Sequence, residues 1–212
     1  MNKNEKFVIT INRELGSGGR TVGEKLAEKL GVTFYDKAVI KGLEEKYHLD
    51  VEEIERLKGQ RQPWWVDFKR VAEIGIGFIG PRYDRAETGK EQTLTTENIF
   101  KAETEILLGI AESESCVIAG RSGFFVLRDH PNHLSILIQA PLEQRIQRIM
   151  KKQDLSREEA EKVIKKVDEM RENYVKKYTG TSRYDTRNYD IVISANGKTE
   201  DEIVDFILSF IG

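Results

Sequence analysis

The sequence predicts an α/β domain, a parallel sheet with helices on both faces. Short runs at residues 7–12, 116–119 and 134–139 are apolar at nearly every position, as strands covered on both sides must be, and residues 191–193 read as a last strand. Helical stretches fall between them, so strand and helix alternate along the chain. The first strand runs straight into the glycine-rich segment Glu14-Leu15-Gly16-Ser17-Gly18-Gly19-Arg20-Thr21, and a helical pattern follows at once.

In chain order, residues 7–12 form the first strand, and Val22, Leu26, Ala27 and Leu30 give the first helix its apolar stripe, closed by Gly31. A short strand at 33–35 leads to Asp36, which suits the N-cap of a helix carrying Val39, Ile40 and Leu43. Asp50 and Glu53 open another short helix. From there to about residue 92, Trp64, Trp65, Phe68 and Ile74 lie among glycines and charges, which reads as a mobile helical lobe with the two tryptophans in its small core. A longer helix runs from Thr96 through Phe100, Ile106, Leu107 and Ile110. The strands at 116–119 and 134–139 flank the turn Gly120-Arg121-Ser122-Gly123. Ser156 with Glu159 forms a capping box opening a long charged helix that stops at Thr179-Gly180. After the strand at 191–193, Thr199 with Glu202 caps a last helix reaching Ile211.

One domain accounts for 212 residues. Hydrophobic residues at 39% beside charged residues at 33%, with four prolines, describe a soluble globular protein, not a disordered or fibrous one. A formal net charge of −2 gives no bulk attraction to nucleic acid or to an anionic membrane, so a polyanionic ligand has to be held locally. The single cysteine, Cys116, excludes an internal disulfide or a multi-thiolate metal site and fits a reducing compartment. The first residues lack a signal-peptide stretch and no run reaches membrane-spanning length, so the cytoplasm is the expected location. His48, His130 and His133 have no metal-ligand spacing.

The glycine-rich segment carries the chemistry. Where backbone must pass close to charged oxygens, small residues or positive φ are needed, and Gly16, Gly18 and Gly19 supply them, with Ser17 between. The helix that follows offers unpaired N–H groups and the positive end of its dipole to the same anion. Arg20 and Thr21 occupy the places of the basic residue and of the hydroxyl that reaches magnesium. Against G-x-x-x-x-G-K-[ST], the chain has Glu14 for the first glycine and Arg20 for lysine. A guanidinium is bulkier than an ammonium and forks its donors. The expected ligand is therefore the phosphate chain of a nucleoside triphosphate, with magnesium within reach of the hydroxyl.

The stretches 12–20, 34–37, Cys116-Val117-Ile118-Ala119-Gly120-Arg121 and Tyr178-Thr179-Gly180 together resemble the cytidylate-kinase-like branch of the P-loop nucleoside monophosphate kinases, in order over nearly the whole chain and most weakly from about 59 to 92. The resemblance implies a three-layer P-loop NTPase fold with a parallel sheet at its core, at about 1–40, 96–150 and 189–212. It further implies a helical monophosphate-binding lobe at about 41–95 and a helical lid at about 151–188. In such enzymes ATP donates its γ-phosphoryl group, with magnesium, to a nucleoside monophosphate, here CMP or dCMP. Arg121 matches the arginine that contacts the acceptor phosphate, and Asp36 an acidic position near the acceptor. Arg145, Arg148 and Arg171 match hinge and lid arginines. Ser122 stands where the family usually has an acidic residue, and Arg20 where it has lysine.

Phosphoryl transfer asks for in-line placement of two anions and neutralisation of the charge between them, which planar guanidinium groups do well. Arg145 and Arg148 share a helix face, and Arg171 can converge on them from the next long helix. Arg171 also lies between Glu169 and Glu172, so local ion pairing is an equally good account of it. Arg183 and Asp185, in the polar loop after the long helix, are candidate substrate contacts, although turn chemistry explains Asp185 as well. Two other functions remain open on these residues: a kinase of another small metabolite, and a nucleotide-binding regulatory protein with little catalysis.

Overall fold

The computed structural model describes residues 1–36 and 96–212. The expected helices beginning at Asp36 and Asp50, the paired tryptophans and the proposed monophosphate lobe lie outside the described residues. Five parallel strands form one sheet in the order β2-β3-β1-β4-β5. They are β1 (Val8–Arg13), β2 (Thr33–Tyr35), β3 (Cys116–Ala119), β4 (His133–Gln139) and β5 (Ile191–Ser194). The helices are α1 (Gly19–Leu30), α2 (Thr96–Ser113), α3 (Gly123–Val126), α4 (Leu142–Gln153), α5 (Arg157–Thr179) and α6 (Glu200–Ile211).

Strand alternation sorts the core into two layers. Ile9 and Ile11 of β1, with Val117, Ile136 and Ile138 beside them, face Val22 and Leu26 of α1 and Ile203, Val204 and Ile207 of α6. On the opposite face Val8, Cys116 and Ile118 meet Leu107 and Ala111 of α2 and Leu127 just past α3. Each such aliphatic side chain, fully withdrawn from water, contributes about 1.5–3 kcal/mol. The register sets Ile11 beside Ala119 on one side and Ile136 on the other, so the C-terminal ends of β1, β3 and β4 share one edge. Ligands bind at that edge in open α/β sheets.

The capping residues behave as the sequence implies. Both halves of the capping box form at Ser156 with Glu159 and at Thr199 with Glu202. Gly31 and Gly180 end their helices in the left-handed conformation. α5 does not stand off as a separate layer: Ala160 and Ile164 pack on Ile146 and Ile149 of α4, and Leu15 of the glycine turn joins that cluster. Two short elements escaped the sequence reading, the single turn α3 and a 3-10 turn at Thr186–Asn188. Neither is long enough to show a helical period.

Candidate functional site

The glycine turn sits at the centre of the sheet edge. Its path is fixed by groups from three other segments. Glu14 accepts from the Ala140 amide at 3.0 Å and pairs with Arg145 at 3.3 Å. The Leu15 amide donates to Asp168 at 3.1 Å, and the Leu15 carbonyl accepts from Arg145 Nε at 2.8 Å. Gly16 and Gly18 have φ of 82° and 85°, which a side chain would strain. The first helical bond of α1 runs from Val22 N to Gly18 O, so the preceding amides are the donors that an α-helix leaves over at its start. No acidic residue lies in that first turn, which leaves the positive end of the helix dipole for a ligand. This cradle fits a chain of phosphates. Thr21 is half-buried in the same turn. Among the described residues no cluster of three or more His, Cys, Asp or Glu offers a metal site of its own.

Beside the cradle, toward β2 and β3, lies a group of guanidinium and carboxylate side chains. Asp36 accepts from Arg13 at 2.8 Å and from Arg20 Nε at 2.7 Å. Burial alone would raise the Asp36 pKa, but Arg13 and Arg20, with Arg121 further off, outweigh it and hold the carboxyl below its usual range. Arg20 also pairs with Glu24 at 2.7 Å one turn along α1. Arg13 is pulled the other way: burial first, then the neighbouring Arg183 and Arg121, lower its pKa against the support of Asp36. Arg121 follows β3 in an unusual turn, in which Arg121 and Ser122 both have left-handed φ, at 59° and 57°. A Gly123 N to Gly120 O bond of 3.1 Å closes it. Two consecutive non-glycine residues in that region cost about 1 kcal/mol or more each. Strain of this kind persists where surroundings enforce it, often at ligand sites.

Arg121 lies 3.5 Å from Glu103 of α2, which is 1% exposed and also accepts from the Tyr174 hydroxyl of α5. Burial and the Glu103 carboxylate push the Tyr174 pKa well up, so it stays a hydroxyl donor. Phe100 stacks on Tyr178 at 4.9 Å and meets Tyr174 edge-on, which joins α2 to the end of α5 over this corner. Arg171 Nη1 donates to the Arg13 carbonyl at 3.3 Å and lies 3.8 Å from Asp168. Desolvation, followed by crowding from Arg13 and Arg183, pushes its pKa down to about 9, although a third of its side chain is exposed. A phosphate beside it would relieve that crowding.

The family model described as "Cytidylate kinase-like family" matches residues 8–196, nearly the whole of this chain. The chain belongs to that family. It is therefore a phosphotransferase, a kinase of a nucleotide or another small metabolite. Within the curated proteins it is 26% identical over 204 residues to a cytidylate kinase of Methanopyrus kandleri, covering 92% of this chain and 88% of that one. Among solved structures it is similar to an uncharacterized protein from Eubacterium ventriosum, with a TM-score of 0.70 at 24% identity over 97% and 98% of the two chains. A shikimate kinase from Bacteroides thetaiotaomicron follows at a TM-score of 0.53 and 16% identity, again over 97% and 98%. The two structural likenesses speak to the fold, the P-loop NTPase architecture. No helix among the described residues is long and apolar enough to cross a membrane.

Against this family background, the expected site residues divide. Gly16, Ser17, Gly18, Gly19 and Thr21 line the cradle, and Arg20, Asp36, Arg121 and Arg171 gather at its β2–β3 side. Arg145 does not join them. Its guanidinium is buried against Asp168, Glu14 and the Leu15 carbonyl, where it holds the turn. Arg148, although one helical turn away, pairs with Glu200 of α6 beside Gly18, where an added Cβ would approach its Nη1 to 2.8 Å. Arg183 is 1% exposed and donates to Asn12 Oδ1 at 3.0 Å and to the Arg13 carbonyl, beneath the site. Asp185 caps the 3-10 turn through the Arg187 amide at 3.1 Å and pairs with the Arg187 side chain at 2.6 Å. Sequence reasoning assigned no role to Arg13, Glu103 or Asp168. Only Arg13 carried a signal, as a cation at the last position of β1 before the glycines.

Proposed function

We propose that this chain transfers the γ-phosphoryl group of ATP to a nucleoside monophosphate, CMP or dCMP, in the presence of magnesium. The observation that carries the reading is the juxtaposition at one sheet edge of an anion cradle made of backbone amides and a set of arginines held by carboxylates. Two anions brought together in that space repel each other, and the cradle and the guanidinium groups offset the repulsion from opposite sides. The amides that begin α1 bind the donor phosphates. Arg121, presented by its left-handed turn, binds the acceptor phosphate, with Glu103 and Tyr174 keeping its orientation. Arg171 closes over the same charge from α5. Arg145 acts as a positioning residue for the cradle, and Arg148 flanks it with Glu200. The Thr21 hydroxyl would help to hold magnesium on the donor phosphates, and the ion would supply charge neutralisation there.

On this reading residues at about 1–40, 96–150 and 189–212 are the core, about 41–95 recognises the nucleoside monophosphate, and about 151–188 is the lid. The setting is cytoplasmic and the partners are nucleotides, without nucleic acid or membrane. ADP formation followed with a panel of monophosphates, with and without magnesium, tests the proposal. Magnesium-dependent turnover fastest with CMP or dCMP is expected. Absence of turnover with every monophosphate sinks it and turns attention to a hydroxylated or phosphorylated metabolite as acceptor.

A further inference from the structure

Arg13 joins the two halves of the site, and nothing in the phosphate-loop pattern foresees it. Its stem lies against the cradle: an added Cβ at Gly19 would come within 2.7 Å of Arg13 Cβ. Its head lies against the acceptor turn: a Cβ at Gly120 would overlap Arg13 Nη1. Two glycines on separate segments thus leave the clearance through which this side chain passes from one half to the other. Its orientation is fixed by Asp36 at 2.8 Å, and its backbone carbonyl is anchored by Arg171 and Arg183. Arg20, the residue at the lysine position of the loop pattern, instead pairs its guanidinium with both Asp36 and Glu24.

We infer that Arg13, and not Arg20, is the cation that meets the transferring phosphoryl group between donor and acceptor. The inference rests on the phosphotransferase reading above and names the residue that neutralises its central charge. In the step, the bond between the γ-phosphorus and the β–γ bridging oxygen breaks and its electron pair leaves with ADP, while an oxygen of the acceptor phosphate forms the new bond. That oxygen is already deprotonated at neutral pH, so no protein base is consumed. The guanidinium of Arg13 faces the three equatorial oxygens as charge spreads over them. Arg20 acts through Asp36, holding the carboxylate that orients Arg13.

Arg13→Gln, Arg13→Lys and Arg20→Gln test this with two readouts, steady-state transfer from ATP to CMP and calorimetric binding of inorganic tripolyphosphate. In Arg13→Gln, kcat is expected to fall about 100-fold or more, as when a single preorganised donor to a developing charge is removed. The KM for CMP should stay within about threefold, and tripolyphosphate should bind about tenfold more weakly, the loss of one charge-assisted hydrogen bond. Arg13→Lys should recover part of kcat, and Arg20→Gln should lose less than Arg13→Gln. The inference is overturned if Arg13→Gln keeps kcat within about tenfold of the unaltered protein, or if its loss merely follows a lowered melting temperature while tripolyphosphate affinity is unchanged. Should the unaltered chain turn over no monophosphate, the nucleotide-kinase reading fails by itself. The tripolyphosphate comparison then decides the place of Arg13 on its own: equal affinity in Arg13→Gln and the unaltered protein rejects it.

Discussion

The two sides of the candidate site are built from different materials. On the donor side the ligand groups are backbone amides, and the nearby cations are committed to the protein: Arg145 to Asp168 and Glu14, Arg148 to Glu200. On the acceptor side the ligand groups are guanidinium heads, and carboxylates serve to aim them, Asp36 for Arg13 and Arg20, Glu103 for Arg121. An arginine's neighbours therefore say more about its task than its place on a helix. Bonded to several protein acceptors, as Arg145 is, it is scaffold; crowded by other cations and aimed by one carboxylate, as Arg13 is, it is held ready for an anion.

The sharpest way to break this contrast is Arg145→Met. Removing the close partner of a buried ion pair leaves Asp168 with only the longer contacts to Arg171 and Arg183, and the expected cost is about 3 kcal/mol of stability, measured by denaturant unfolding. A variant of unchanged stability that had lost transfer would make Arg145 a phosphate ligand and erase the distinction.

Acid unfolding gives a reference away from both sides. Burial, only partly opposed by Asp190, lowers the pKa of His133 at the start of β4 to about 4. The unfolded chain takes up a proton near pH 6.5 that the folded chain refuses until about 4, so stability falls as pH drops through that window, by at most about 3 kcal/mol. The Asp36 carboxyl, held below its usual range, adds its own loss only at lower pH. His133→Gln should flatten the upper part of the profile; an unchanged profile assigns it to another group.

A smaller effect is expected from Gly120→Ala. A side chain there is strained at φ 85° and overlaps Arg13, which should cost about 1–3 kcal/mol by thermal melting and disturb both Arg13 and the Arg121 turn, with CMP affinity falling further than ATP-analogue affinity. ATP-analogue affinity falling as much as CMP affinity would show the two sides to be one unit. The smallest is Thr199→Ala, which removes the cap of the helix that brings Glu200 to Arg148, at about 1 kcal/mol with kcat unchanged.

Much of the fold was legible because local chemistry and tertiary structure agree in it. The apolar runs at 7–12, 116–119 and 134–139 became buried strands, and both capping boxes formed at the residues that announce them. The cradle was legible for the same reason, since glycine spacing is itself the structural requirement. The arginines were not. Arg145 and Arg148, three residues apart, turn to Asp168 and Glu200, carboxylates 23 and 52 positions along the chain, and no local rule encodes such partners. The left-handed pair Arg121-Ser122 escaped as well, because neither residue type favours that backbone.

A structure of the chain with CMP and a non-hydrolysable ATP analogue tests the account most directly. It predicts the β- and γ-phosphates on the amides that open α1, the CMP phosphate on Arg121, and Arg13 between the two. A CMP phosphate bound away from Arg121, or donor phosphates seated outside the glycine turn, would contradict it.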